Sequence, residues 1–199
     1  MSKLSRFALF VLVACLAALV LQAVGQNHSP GSNNGTPTTT SSLNIVFVSG
    51  SAPGLMASQT IDVLRSRSGG SLTSVSDLAD LSGISGQVGA TSIVVFDSAW
   101  LSGKVQDLVL RDFLATILPK EVKIVAIGGS TSLLFDALLQ VKTDLFAPGR
   151  NPASANPSLA GYKLKAATSA SGTAYYGDSI LIGDPANPGS AADSVLAWG

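Results

Sequence analysis

Residues 91–139 read TSIVVFDSAWLSGKVQDLVLRDFLATILPKEVKIVAIGGSTSLLFDALL and decide the fold. Ser92–Asp97 and Val122–Ile127 are short runs of β-branched and other apolar residues with little polar alternation, which is typical of strands covered on both faces. Between them, a helical pattern extends to about Leu118 from Ser102, the expected N-cap. Because a helix joins two buried strands, the stretch predicts a parallel, right-handed βαβ unit. A second helix is expected from about Leu133 to Val141.

The flanking segments extend this pattern on both sides. We expect a strand at Leu43–Val48, a helix at Leu55–Arg67, a short strand at Ser71–Ser76 and a helical turn capped by Ser76. Gly161–Thr168 and Thr173–Ile182 predict a hairpin, and Ser190 is the expected cap of a last helix through Trp198. The predicted fold class is α/β: a three-layer, mainly parallel, flavodoxin-like sheet with helices on both faces, preceded by an N-terminal hydrophobic helix.

The N-terminal sequence predicts the cellular location of the protein. Lys3 and Arg6 precede an uninterrupted apolar run, Phe7–Leu21, which is typical of a secretory signal, and Ala23 and Gly25 are small residues suited to cleavage. Phe7–Gly25 is also close to the roughly 20 residues that span a bilayer. We expect a retained membrane anchor, with a cleaved and secreted form as the alternative. In both cases the C-terminal bulk lies outside the cytoplasm.

Composition divides the chain into three parts: a signal peptide or anchor at residues 1–25, a stalk at 26–42 and an α/β domain at 43–199. The stalk, QNHSPGSNNGTPTTTSS, has no hydrophobic residue and no Asp, Glu, Lys or Arg, so we expect it to be flexible. Asn27 and Asn34 are candidate glycosylation sites, each with proline after its Ser or Thr. Acidic residues slightly outnumber basic ones in the domain, which argues against a nucleic-acid partner.

Three loops are predicted to meet at the carboxyl edge of the sheet, where ligands of such folds bind: Ser49–Gly54, Asp97–Ser102 and Gly128–Ser132. Glycine and hydroxyl residues before a helix expose backbone N–H groups that hold phosphate or carboxylate. Tight turns and helix caps are the alternative explanation, and Trp100 is either a stacking platform or a loop anchor. The candidate ligand-binding residues are Ser49, Gly50, Ser51, Asp97, Trp100, Gly128, Gly129, Ser130 and Thr131.

Several chemistries are excluded by residue counts. His28, in the stalk, is the single histidine, and Cys15, in the apolar run, is the single cysteine. The domain therefore has neither a Cys-His pair nor a Ser-His-Asp triad built on Ser130, and it has no thiolate or imidazole metal site. We assign no catalytic residue and no metal site, and the sequence requires no cofactor.

The domain resembles the flavodoxin-like group and, more closely, the class I glutamine amidotransferase-like domains. The similar residues are Ile93–Asp97 with Trp100 and Leu101, Phe113 and Leu114, and Val122–Ser130, within residues 44–139. The resemblance implies a sharp turn after the central strand that carries a nucleophilic cysteine served by a histidine. The corresponding turn here is Gly128–Thr131, which has no cysteine.

Three functions are compatible with these observations. The leading hypothesis is a non-catalytic, membrane-tethered, extracytoplasmic domain that binds a small ligand or a protein partner at the cell envelope, with the membrane contacted through Phe7–Gly25. The second is a flavin- or nucleotide-binding protein that uses the three loops. The third is a structural subunit of a surface layer or filament, suggested by a charged fraction of only 12%.

Overall fold

Strand β3, Ser92–Asp97, lies within a six-stranded sheet and is buried at all six of its residues. The computed structural model describes residues 43–143, 145, 146, 152, 156–168 and 174–199. The other strands are β1 Asn44–Val48, β2 Ser71–Val75, β4 Lys123–Ile127, β5 Leu159–Thr168 and β6 Ala174–Gly183. The helices are α1 Leu55–Ser68, α2 Leu78–Ile84, α3 Ser98–Leu101, α4 Leu108–Ile117, α5 Ser132–Val141 and α6 Pro188–Ala197.

The sheet is mixed, with the order β2-β1-β3-β4-β5-β6. β1 pairs in parallel with both β2 and β3, and β3 pairs in parallel with β4. β5 is antiparallel to β4, and β6 is antiparallel to β5. The α/β class is therefore confirmed, and so is the parallel pairing of the two strands in residues 91–139. The predicted hairpin exists and joins the main sheet through β5.

The central strands contribute alternate residues to two hydrophobic clusters. Val94 and Phe96 belong to a cluster that also contains side chains from α2, α3, α4 and α5. Ile93 and Val95 belong to a second cluster, which contains side chains from α1 and α6. Because successive side chains of a strand point to opposite faces, the two clusters lie on opposite faces of the sheet. This explains why β3 has no polar alternation.

The helix predicted from Ser102 to Leu118 is shorter than expected: α3 ends at Leu101, before this stretch, and α4 begins only at Leu108. The carboxylate of Asp97 accepts a hydrogen bond from the Ala99 N–H, so α3 begins directly after β3. Turns then follow to Asp107, whose side chain accepts from the Val109 N–H at 2.8 Å and caps α4. Asp107, not Ser102, is the N-cap of the long amphipathic helix.

Two further cap predictions are corrected in the same way. Asp77, not Ser76, caps α2, by accepting a hydrogen bond from the Ala79 N–H. Asn187, not Ser190, caps α6. Ser190 is the third residue of the helix, and the two residues form a capping box, in which the side chain of each is hydrogen-bonded to the backbone of the other. Proline at the first position of α6 fits this start, since its missing N–H needs no partner there.

The N-terminal predictions lie outside the described residues. These are the anchor or signal peptide, the stalk, Asn27 and Asn34; the hairpin turn at 169–172 lies outside them as well. Among the residues that are described, no helix has the length and hydropathy to cross a bilayer.

Candidate functional site

The carboxyl ends of β1, β3 and β4 lie side by side. Val48 is paired with Phe96, and Asp97 with Ile127, so the loops that follow these strands leave the sheet at the same edge. The predicted convergence of Ser49–Gly54, Asp97–Ser102 and Gly128–Ser132 is therefore present in the structure. We call these segments loop 1, loop 2 and loop 3.

Asp97 connects loop 1 to loop 2. Its side chain is almost completely buried, with 3% of the residue exposed. Oδ2 accepts a hydrogen bond from the Gly54 N–H at 2.8 Å, and Oδ1 accepts one from the Ala99 N–H at 3.2 Å. Both carboxylate oxygens thus bond to backbone groups of the protein itself, as the helix-cap explanation requires.

Ser98 connects loop 2 to loop 3. It is 2% exposed, and its hydroxyl accepts a hydrogen bond from the Ser130 N–H at 3.3 Å. Gly128 lies directly against this hydroxyl, and a Cβ atom at that position would overlap it. Gly128 also has φ of 126°, a conformation that is open to glycine and costly for other residues. Glycine is therefore required where loop 3 crosses Ser98.

Loop 3 is also bonded to the segment before β5. The Thr131 hydroxyl donates to the Pro157 carbonyl, and the Asn156 side-chain amide donates to the Gly129 carbonyl at 2.7 Å. The Gly128 N–H donates to the Ser158 carbonyl at 2.9 Å. Three of the candidate ligand-binding residues are thus used to connect loop 3 to a neighbouring segment.

Trp100 is positioned as a loop anchor. Only 5% of it is exposed, its indole N–H donates to the Ser76 carbonyl at 3.2 Å, and its ring centroid lies 5.9 Å from that of Phe96. The ammonium of Lys104 lies 4.9 Å from the centroid of the Trp100 ring. Little of the indole surface is left for stacking on a ligand.

The remaining candidates form the exposed part of the edge. Ser51, Gly129 and Ser130 are exposed and Gly50 is partly exposed, whereas Ser49 is 8% exposed and its hydroxyl donates to the Gly50 carbonyl at 3.3 Å. This surface offers serine hydroxyls and backbone groups, and it has no imidazole or thiol. No group of three or more His, Cys, Asp or Glu side chains suited to a metal ion occurs in the described part of the chain.

Sequence reasoning missed two residues that organise this edge. Ser98 directly follows Asp97, so the position at the end of a buried strand was a usable signal. Asn156 had no such signal, because it lies in a long stretch rich in Pro, Asn, Ala and Ser. Its role depends on the approach of β5 to β4, which is a non-local pairing.

No protein family, no curated protein and no solved structure matches this chain significantly.

Proposed function

We propose that this protein is a non-catalytic, membrane-tethered, extracytoplasmic α/β domain that binds a protein partner or a small ligand. The observation that carries the proposal is the use of Asp97. This carboxylate is buried at the carboxyl edge, and both of its oxygens are bonded to the protein backbone. A general acid or base needs an oxygen within hydrogen-bond reach of the substrate. The lack of histidine and cysteine in residues 43–199 supports the same conclusion.

The strand order supports a flavodoxin-like arrangement, which we also propose. The parallel order β2-β1-β3-β4 is the order in which such sheets begin. The antiparallel β5 and the added β6 depart from that arrangement. The departure lies on the side of β4, where Asn156 and Ser158 contact loop 3.

Two exposed leucines support binding to a protein. Leu55 is 72% exposed and Leu108 is 61% exposed. Leu55 is the first residue of α1, which leads from β1 to β2, and Leu108 is the first residue of α4, which leads from α3 to β4. Both helices run back towards the amino ends of the parallel strands, so both leucines stand at the helix ends nearer the carboxyl edge. An exposed apolar patch rimmed by polar residues is typical of a protein contact surface, and we propose that the two leucines belong to one.

Enzyme assays test the non-catalytic part of the proposal. Purified residues 43–199 are expected to show no turnover of glutamine or of short esters above background, and Ser130→Ala is expected to behave like the wild type. Ser51→Ala is the matched control, because Ser51 is an exposed hydroxyl of loop 1. Turnover that disappears in Ser130→Ala and persists in Ser51→Ala would overturn the proposal.

Crosslinking in intact cells tests the partner. A photoreactive residue at Leu55 or Leu108 is expected to yield a covalent complex with another protein, whereas the same residue at Asp62, an exposed position farther along α1, is not. Equal labelling at all three positions would mean that the two leucines do not define an interface. Accessibility of the domain to protease added outside the cell tests the location.

The second candidate, a flavin- or nucleotide-binding protein, is supported by the start of α1 at the carboxyl edge. No side chain caps the first N–H groups of α1, and these groups are suited to a phosphate. A rise in the melting temperature with FMN or a nucleotide would favour this candidate. The absence of any shift with phosphate-bearing compounds would favour the partner-binding domain.

A further inference from the structure

A group of lysines lies at the amino end of the parallel strands, opposite the three loops. Lys123 begins β4, and the residue after it is paired with Tyr162, the residue before Lys163, so the antiparallel register places Lys123 beside Lys163. Lys163 is in turn paired with Ser179 of β6. Lys165 points to the same face as Lys163, because successive side chains of a strand alternate between the faces. We call Lys123, Lys163 and Lys165 the lysine cluster.

The end of α6 and the residues after it lie against the lysine cluster. The Lys123 ammonium donates to the carbonyls of Val195 and Leu196 at 3.1 and 3.3 Å. The Lys165 ammonium donates to the main-chain oxygen of Gly199 at 2.6 Å. An ammonium group has three N–H donors, so at least one remains on Lys123 and two remain on Lys165. Both side chains are thus fixed in position and still have donors for a ligand.

The Trp198 indole lies beside the cluster on the same face of the sheet. Its N–H donates to the Ser179 hydroxyl at 2.8 Å, and its ring centroid lies 6.0 Å from the Lys123 ammonium. The ring occupies the space above Gly161, where a Cβ atom would come within 3.0 Å of it. Because the Ser179 oxygen accepts from the indole, the O–H of this serine remains as a further donor next to Lys163.

The charge of the lysine cluster is not balanced by a carboxylate of the strands around it. Lys163 is partly buried, and its ammonium has no hydrogen bond or ion pair with any residue that the structure describes. Asp178 is the single acidic residue of β4, β5 and β6, and its pairing with Leu164 places it on the other face of the sheet. Asp193 of α6 forms an ion pair with Arg67.

The three lysines repel one another, and an anion between them would remove this repulsion. Like charges that face each other on neighbouring strands are destabilising. Burial lowers the pKa of Lys123, and the charges of Lys163 and Lys165 lower it further. A phosphate group carries a charge of about −1.5 to −2 at neutral pH and has three acceptor oxygens, whereas a carboxylate has a single charge and two oxygens. Phosphate therefore matches several ammonium groups better than a carboxylate does.

We propose that the lysine cluster and the Ser179 hydroxyl bind a phosphate group, with the Lys163 ammonium as its central contact. Free phosphate, a soluble phosphate monoester and a phospholipid head group share this chemistry. The site is at the amino end of the parallel strands, so it is separate from the carboxyl edge and does not rest on the partner proposed there.

Calorimetric titration of the full chain in a neutral detergent with inorganic phosphate tests this proposal. We expect saturable binding when sodium chloride keeps the ionic strength constant, and we expect Lys163→Gln to weaken it about tenfold or more, because a charged hydrogen-bond donor is lost. Lys104→Gln is the matched control and should bind like the wild type. Lys104 is partly buried as Lys163 is, but its ammonium donates to the Trp100 carbonyl on the side of the carboxyl edge.

Two results of this titration would overturn the proposal. Binding that persists unchanged in Lys163→Gln would indicate another site, such as the start of α1. An equal loss in Lys163→Gln and Lys104→Gln would indicate a general effect of net charge. Without phosphate, Lys163→Gln should melt at the same temperature as the wild type or higher, since the repulsion is reduced. A lower melting temperature would contradict the repulsion on which the proposal rests.

Acetylation of the lysines, mapped by mass spectrometry, distinguishes the sources of the phosphate. The full chain is acetylated in detergent micelles with glycerol phosphate in solution, or with phosphatidic acid in the micelles and phosphatidylcholine as the control lipid. We expect slower acetylation of Lys163, with Lys104 unchanged. Protection by glycerol phosphate identifies a soluble ligand, and protection by phosphatidic acid alone identifies a lipid head group. If neither compound protects Lys163, the cluster is not a phosphate site, and the crosslinking test at the two leucines is unaffected.

Discussion

Replacing Asp97 by asparagine is expected to destabilise the domain strongly, because one carboxylate connects two loops. The carboxylate accepts from the Gly54 N–H at 2.8 Å and from the Ala99 N–H at 3.2 Å, and it is 3% exposed. An asparagine side chain has one acceptor oxygen and one donor NH₂ group. In Asp97→Asn one of the two backbone N–H groups therefore faces another donor, at a buried position.

The expected cost can be worked out from these contacts. A hydrogen bond to a charged group contributes about 1.5–3 kcal/mol, and an unpaired buried donor costs about 1–3 kcal/mol. Because both terms describe partly the same event, we expect Asp97→Asn to lower the free energy of unfolding by about 3 kcal/mol. This is a large part of the 5–15 kcal/mol that is usual for a domain.

Urea denaturation followed by circular dichroism measures this cost in residues 43–199. Asp112→Asn is the matched control, because Asp112 makes its ion pair with the adjacent Arg111 and its side chain is 73% exposed. We expect the control to change stability by less than about 0.5 kcal/mol. If Asp97→Asn is as stable as Asp112→Asn, the carboxylate does not hold the loops together. It would then have to be considered as a ligand-binding group.

Two further substitutions test other contacts. Gly128→Ala is expected to lower the free energy of unfolding by about 2 kcal/mol or more, because of backbone strain and overlap with Ser98. Gly129 has open space around it, so Gly129→Ala should change the free energy of unfolding little in the same urea assay. Tyr162 is fully buried, and its hydroxyl has no hydrogen-bond partner among the residues that the structure describes. Burial, with a smaller effect of Asp178, raises its pKa to about 12. Tyr162→Phe should therefore stabilise the domain by about 1 kcal/mol at neutral pH. The unfolded tyrosine ionises near pH 10, so the wild type should also lose stability between pH 10 and 12 through this residue. Tyr162→Phe should not show this loss. Identical curves of stability against pH for the two proteins would contradict this assignment.

The parallel part of the sheet could be predicted because its strands have an unusual composition. Ser92–Asp97 and residues 124–127 are buried on both faces, and a largely apolar run is the direct result of that environment. The starts of the helices were less predictable. Ser76 and Asp77 are both residues that cap helices, and local sequence does not show which one has the extended backbone conformation that capping requires.

The candidate site could be predicted only where it depends on strand ends. Asp97 was placed at the carboxyl edge because it ends a recognisable strand. The partners that surround it come from distant parts of the chain, since Gly54 is 43 residues away. Asn156 reaches loop 3 because β5 pairs with β4 in the antiparallel direction, and the weak alternation of that segment does not specify its partner.

The interior position of β1 has a mechanical consequence for a domain that is pulled at its N-terminus. The chain enters at Asn44, on a strand that is paired in parallel with β2 on one side and with β3 on the other. A force applied through the proposed tether would act along β1 and load both ladders in shear, so many hydrogen bonds would have to break together. An edge strand pulled in the same way would lose only one ladder, so this connectivity favours a domain that stays folded under tension.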